Sequence, residues 1–178
     1  MKTINLDCYK IEVAMSFEAW IFLCATTNGT TNLMYFLSLL AKMKIKETHK
    51  KKRGIEYVVH AGEIDASLLS LAADWRLGRK AATRLLRDFA RYGLISVAPD
   101  KLTSTIAMTC VACWVDGGRR TTNPCYTSKI SNYEGVRIYL RSGQAIPTIR
   151  RNAKRSDNRK KEDKDDGDAC EDTTHDPT

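Results

Sequence analysis

Apolar side chains recur at helical spacing in several stretches of the chain and at alternate positions in others. The clearest helical stripe is Ala82, Leu85, Leu86 and Phe89, the i, i+3, i+4, i+7 pattern of a face packed on a core. Gly78 stands at the start of this helix and Gly93 just past its end, where a C′ glycine is favoured. Upstream, Leu68, Leu71, Ala72 and Trp75 supply the buried side of a second helix, with Ser67 as its N-cap. "RLG" is the tight connection between the two.

Leu33, Phe36, Leu37, Leu40 and Met43 predict a longer helix over "LMYFLSLLAKMKIKE", capped by Asn32 and ending in the lysine-rich "KMKIKETHKKKRG". Those lysines suit either a helix C-terminus or a basic loop. "SFEAWIFLCA" predicts a helix capped by Ser16, and "TTNGTT" a turn.

Period-two patterning is weaker. "YKIEVAM" alternates as a strand does, and residues 55–64, "IEYVVHAGEI", read as one short strand. "LISVA" and "TIAMTCVACW", separated by "PDKLTS", predict a hairpin. "DGGRRTTNPCYTS" reads as loop and "GVRIYLR" as one further strand. The expected class is therefore mainly α with a small β-sheet (α+β): a winged helix-turn-helix with an N-terminal helical extension and a disordered C-terminal tail. The expected divisions are 1–31 for the extension, 32–114 for the winged helix, 115–149 for a C-terminal extension and 150–178 for the tail.

Charge sharpens this picture. The 178 residues carry a net charge of +8. Residues 150–178 hold eight basic and nine acidic side chains in separate blocks and almost no large apolar ones. Such a tail cannot bury enough surface to offset the entropy of ordering. Residues 1–149 are left with 21 basic and 12 acidic residues, so the part expected to fold is the basic part. That favours an anionic partner, nucleic acid or an anionic membrane surface. The start is broken by Lys2, Asp7, Lys10 and Glu12, and no apolar run reaches the roughly 18 residues of a membrane span, so a cytoplasmic location without membrane contact is expected.

The charge gathers on one helix. Lys80, Arg84, Arg87 and Arg91 fall within a narrow arc opposite the apolar stripe, where cations repel at i, i+4 spacing. In a helix-turn-helix the second helix lies in the major groove and its first half reaches base edges. On that expectation Arg79, Lys80, Thr83 and Arg84 meet bases, and Arg87 and Arg91 meet phosphate. Lys101, at the hairpin tip, is placed as a wing contact, and Lys51, Lys52 and Arg53 extend the footprint. Arginine suits this work because its planar fork pairs with phosphate or guanine.

Residues 32 to 114 also resemble the amino-terminal winged-helix domain of DnaD-like replication-initiation proteins of phages and mobile elements. The resemblance rests on "NLMYFLSLLAKMK", "KKRGIEYVVHAGEIDASLLSLAADW", "LGRKAATRLLRDFARYGLISV" and "TSTIAMTCVACW". Gly62, Ser67, Leu68, Leu71, Ala72, Gly93 and Trp114 stand at its landmarks. It implies binding of double-stranded DNA in replication initiation. After Trp114 the helical second domain of that family is not found, which keeps a stand-alone transcriptional regulator open. A protein-interaction scaffold, within a replisome or another assembly, is a further alternative. Trp20, Ile21, Phe22 and Leu23 would then serve a homodimer interface or else complete the core.

Other chemistry finds little support. "CVAC" (110–113) has metal or redox spacing, but residues three apart on a strand face opposite ways and no second pair follows. His49, His60 and His175 have no partner at the spacing of a nucleophilic triad, and no phosphate-binding glycine motif occurs. Asp88 is expected to pair with Arg84 or Arg91. No enzyme activity, cofactor or metal is expected.

Overall fold

The computed structural model describes residues 10–52, 54–99, 104–127 and 135–141. Among these residues the chain runs β1 (Lys10–Ser16), α1 (Phe17–Cys24), β2 (Thr26–Thr27), β3 (Thr30–Thr31), α2 (Asn32–Leu40), β4 (Thr48–Lys52), β5 (Ile55–Val59) and β6 (Glu63–Asp65). Then follow α3 (Leu68–Trp75), α4 (Arg79–Arg91), β7 (Ser96–Pro99), β8 (Ser104–Ala107), β9 (Val111–Asp116), β10 (Arg119–Thr122) and β11 (Gly135–Arg141). The expected mainly α class is wrong. The described residues hold four small antiparallel sheets beside four helices, with more residues in strand than in helix. The described part of the expected N-terminal helical extension, residues 10–31, holds one helix, α1, and three strands, β1, β2 and β3. The charged tail, Arg53 and Lys101 lie outside the described residues.

The surplus strands come from polar stretches. The helix expected over residues 33–47 stops at Leu40, where the chain turns and Met43 is buried. The lysine run instead forms β4, paired with β5 across a turn at Gly54. Continuing the helix would stack lysines at i, i+4, whereas a strand sends them to alternate faces. Residues 55–64 are two strands, β5 and β6, separated at Gly62. The expected loop after Asp116 is a hairpin, with Gly117 and Gly118 at positive φ leading into β10. Asn32 is not the cap of α2 but its first helical residue. Its buried side chain accepts from Thr27 Oγ1 (2.6 Å) and donates to the Phe22 carbonyl (2.9 Å), tying α1 to the β2–β3 hairpin.

Two sheets organise the rest. One has the strand order β10-β9-β1-β11, the other β6-β8-β7. Along β1, Ile11, Val13 and Met15 enter the core while Lys10 and Glu12 lie on the other face. The expected strand "GVRIYLR" is β11, antiparallel to β1 over its full length. The chain passes from the second sheet to the first through residues 108–110. Asn123 holds that passage by donating to the carbonyls of Met108 (2.8 Å) and Val111 (2.9 Å).

Between these parts lies an aromatic core. Phe89 meets Phe22 edge-on at 5.7 Å, and Phe36 and Trp75 pack around it. Trp75 also contacts Tyr35, and its indole N–H donates to Ser38 Oγ at 2.6 Å. Of the apolar run at residues 20–23, Leu23 is fully buried and Phe22 packs on Phe89 and Tyr92, so both serve the core.

Candidate nucleic-acid interface

Ser67 accepts a hydrogen bond from the Ser70 amide and starts α3. Arg76 ends it in the left-handed region (φ 55°), with its amide and that of Leu77 returning to the Ala73 and Ala72 carbonyls. Two residues later Gly78 is the N-cap of α4, without a side-chain cap. At the far end Gly93 (φ 68°) and Leu94 return their amides to Ala90 and Phe89, a Schellman closure. Both ends of α4 are therefore fixed. Its inner face, Ala82, Leu85, Leu86 and Phe89, is buried on the aromatic core.

The outer face carries Arg79, Lys80, Arg84, Arg87 and Arg91, all exposed. None of them forms an ion pair among the described residues. The contrast with other cations is sharp. Lys42 pairs with Asp74, Lys46 with Asp116, Lys50 with Asp65, and Arg120 and Arg137 with Glu12. Asp88, expected to pair with Arg84 or Arg91, makes no ion pair among the described residues. The first turn of α4 holds no acidic residue, so Arg79 and Lys80 sit at the positive end of the helix dipole, where cations are disfavoured.

Arg79, Lys80, Thr83, Arg84 and Arg87 line one open depression, so five of the expected contact residues come together. The Thr83 hydroxyl donates to the Arg79 carbonyl at 2.9 Å and keeps its oxygen free to accept. Arg91, on the last turn, lies over the Tyr92 ring at 5.8 Å. Lys51 and Lys52 are elsewhere, on the β4–β5 hairpin. Lys51 reaches Glu56 at 3.8 Å, while Lys50 anchors the hairpin to Asp65 at 2.6 Å beside the Tyr57 hydroxyl. Burial pushes the Asp65 carboxyl up, but the hydrogen bonds from Lys50 and Tyr57 and the charges of Lys50 and Lys52 outweigh it and hold it below its ordinary value.

One polar cluster escaped the sequence reading, because its members are brought together only by strand pairing. Glu12, nearly buried, accepts from Arg137 (2.6 Å), Arg120 (3.0 Å) and the Cys113 thiol (3.2 Å). Burial raises the Glu12 carboxyl, yet these hydrogen bonds and charges prevail and lower it. Burial pushes the Cys113 thiol up, which disfavours a nucleophilic thiolate. Cys110 faces the core instead, so the two cysteines of "CVAC" do not converge. No group of side chains able to hold a metal ion occurs among the described residues.

Comparison of the chain with protein-family models, curated proteins and solved structures gives no match. Among the described residues no helix is long and apolar enough to cross a membrane.

Proposed function

We propose that this protein binds double-stranded DNA, with α4 as the reading helix, the turn at residues 76–78 setting its approach, and the β7–β8 hairpin beside it as a wing. The single observation that carries this reading is the outer face of α4: exposed cations without ion-pair partners among the described residues, on a helix whose other face is locked into the core. Their charge is left for an external anion to neutralise, and a regular polyanion fits a file of cations spaced along a helix. Arg79, Lys80, Thr83 and Arg84, on the first half of α4, would meet base edges. Arg87 and Arg91 would meet phosphate. The role is recognition without chemistry, in replication initiation or transcriptional regulation of a phage-like or mobile element in the cytoplasm.

The test is selection from a random duplex pool at two salt concentrations. An enriched motif with affinity falling steeply in salt supports a specific reader. No binding at low salt overturns the reading.

A second reading, an interaction scaffold or homodimer, is favoured by Phe17 and Ile21. These are 58% and 56% exposed and share a face of α1 at i, i+4 spacing. Light scattering across a concentration series decides it, because constant monomer mass excludes the homodimer.

A further inference from the structure

Beside the cationic face lies an apolar feature that shares Thr83 and Arg87 with it. A groove of about 390 Å³ opens between α3, α4 and the β7–β8 hairpin. Its volume falls within the roughly 300–1,000 Å³ of small-molecule sites. Leu68 and Leu71 line it from α3, Leu86 and Ala90 from α4, and Val97 and Ile106 from the hairpin. The lining is mostly apolar yet open to water, and Val97 is 40% exposed. Among the described residues Arg87 is the one charged side chain in the lining, and none of them forms an ion pair with it. Thr83 stands beside it, its hydroxyl hydrogen already given to the Arg79 carbonyl.

We infer that this groove binds an amphipathic organic anion, an apolar body with a carboxylate or a similar head. The apolar walls take the body out of water. Arg87, at the rim, takes the head through a forked, charge-assisted hydrogen bond. A neutral ligand would leave Arg87 unanswered, and a fully polar one would waste the walls. Arg87 and Thr83 also line the cationic depression of α4, so an occupied groove withdraws both from that face. This coupling rests on the DNA reading, whereas the ligand site stands without it.

The experiment uses the full chain and two fluorescent probes of one shape, anionic 1-anilinonaphthalene-8-sulfonate and neutral N-phenyl-1-naphthylamine. Saturable binding is expected, with the anionic probe the tighter. Ala90→Trp, which fills the groove from an exposed position, should abolish binding of both. Arg87→Ala should weaken the anionic probe by about three- to tenfold and leave the neutral one unchanged. Lys46→Ala, which removes a cation elsewhere, should change neither. Circular dichroism confirms that each variant is folded. Equal affinity of both probes, or indifference to Arg87→Ala, overturns the anion assignment. Binding that survives Ala90→Trp overturns the site. Silent probes overturn it as well, and if self-association is then lost in Ala90→Trp, the groove is a contact between copies. With duplex added, a saturating anionic probe should weaken DNA binding by several-fold. Absence of DNA binding would sink the functional reading while leaving the probe results to judge the groove.

Discussion

A Cβ built on Gly62 would lie 1.9 Å from Oδ1 of Asn123. The two residues are thus in mutual contact, and Gly62 also sits at φ +88°, where L side chains are strained. Asn123 cannot retreat, because its amide group holds the passage between the two sheets through the carbonyls of Met108 and Val111. Gly62→Ala should therefore destabilise the fold by about 2–4 kcal/mol, combining the strain of positive φ with the clash. Asn123→Ala should cost about 1–3 kcal/mol by removing the buried amide's hydrogen bonds to the Met108 and Val111 carbonyls. Urea unfolding of both variants and of the double variant checks this. The double variant should fall short of the sum, since the clash disappears and the backbone strain stays.

Acid should weaken the fold through Asp65 and Glu12. Both carboxyls are held below their ordinary values, so the folded state releases their protons more readily than the unfolded chain does. Their stabilisation is complete above the ordinary carboxylate range and fades as pH falls through the lowered values, from about pH 4 downward. Thermal melts between pH 7 and pH 2.5 should show Asp65→Asn and Glu12→Gln less stable than wild type near neutrality. At the acid end the curves should converge. A constant gap at every pH would mean that the ion pairs contribute nothing through charge.

Lys80→Glu should separate binding from stability. It places an acid in the first turn of α4, which favours the helix by about 0.3–1 kcal/mol, and it removes a cation from the DNA face. The variant should melt higher than wild type and bind duplex DNA more weakly. Arg84→Ala should cost about 1–3 kcal/mol of binding if it reads a base, with the loss concentrated at one position of the site. A uniform loss across base substitutions would place Arg84 on phosphate instead.

Ser38→Ala should cost about 1–3 kcal/mol, because the indole N–H of fully buried Trp75 has Ser38 Oγ as its acceptor at 2.6 Å. Calorimetry of the variant should show a lower Tm with intact far-ultraviolet dichroism. An unchanged Tm would mean that water replaces the hydroxyl at no net cost.

The sequence was most legible where local chemistry decides the backbone. Ser16, Ser67, Gly78 and Gly93 mark helix ends by caps and left-handed closure, and α1, α3 and α4 lie where those signals put them. The buried stripe of α4 follows from spacing alone. Legibility failed where pairing partners are distant or polar. β4 is mostly lysine and has no strand propensity of its own; its partner β5 and the Lys50–Asp65 bond hold it extended. β10, "RRTT", carries no apolar alternation and exists only as a neighbour of β9. These strands are what turned the expected class from mainly α to β-rich. At the candidate interface the sequence identified which cations share a face. It carried no sign of the Glu12 cluster, whose members are scattered between residues 12 and 137 and meet only through the sheet.

The position of β1 in its sheet sets an order in time. It is an inner strand whose neighbours, β9 and β11, come about a hundred residues or more later, and the Glu12 contacts span 101 and 125 positions. The unit from β6 to β8, by contrast, closes within residues 63–107. Closing long loops is slow because their entropy is lost before contacts reward it. During synthesis β1 must therefore wait, with Ile11, Val13 and Met15 uncovered and both edges open, while α3 and α4 can already be packed. Pulse-labelled hydrogen exchange should find the amides of α4 protected before those of β1. The nascent chain passes through a stage in which its helical half is native and its first strand is still a free edge, and that stage is where aggregation would begin.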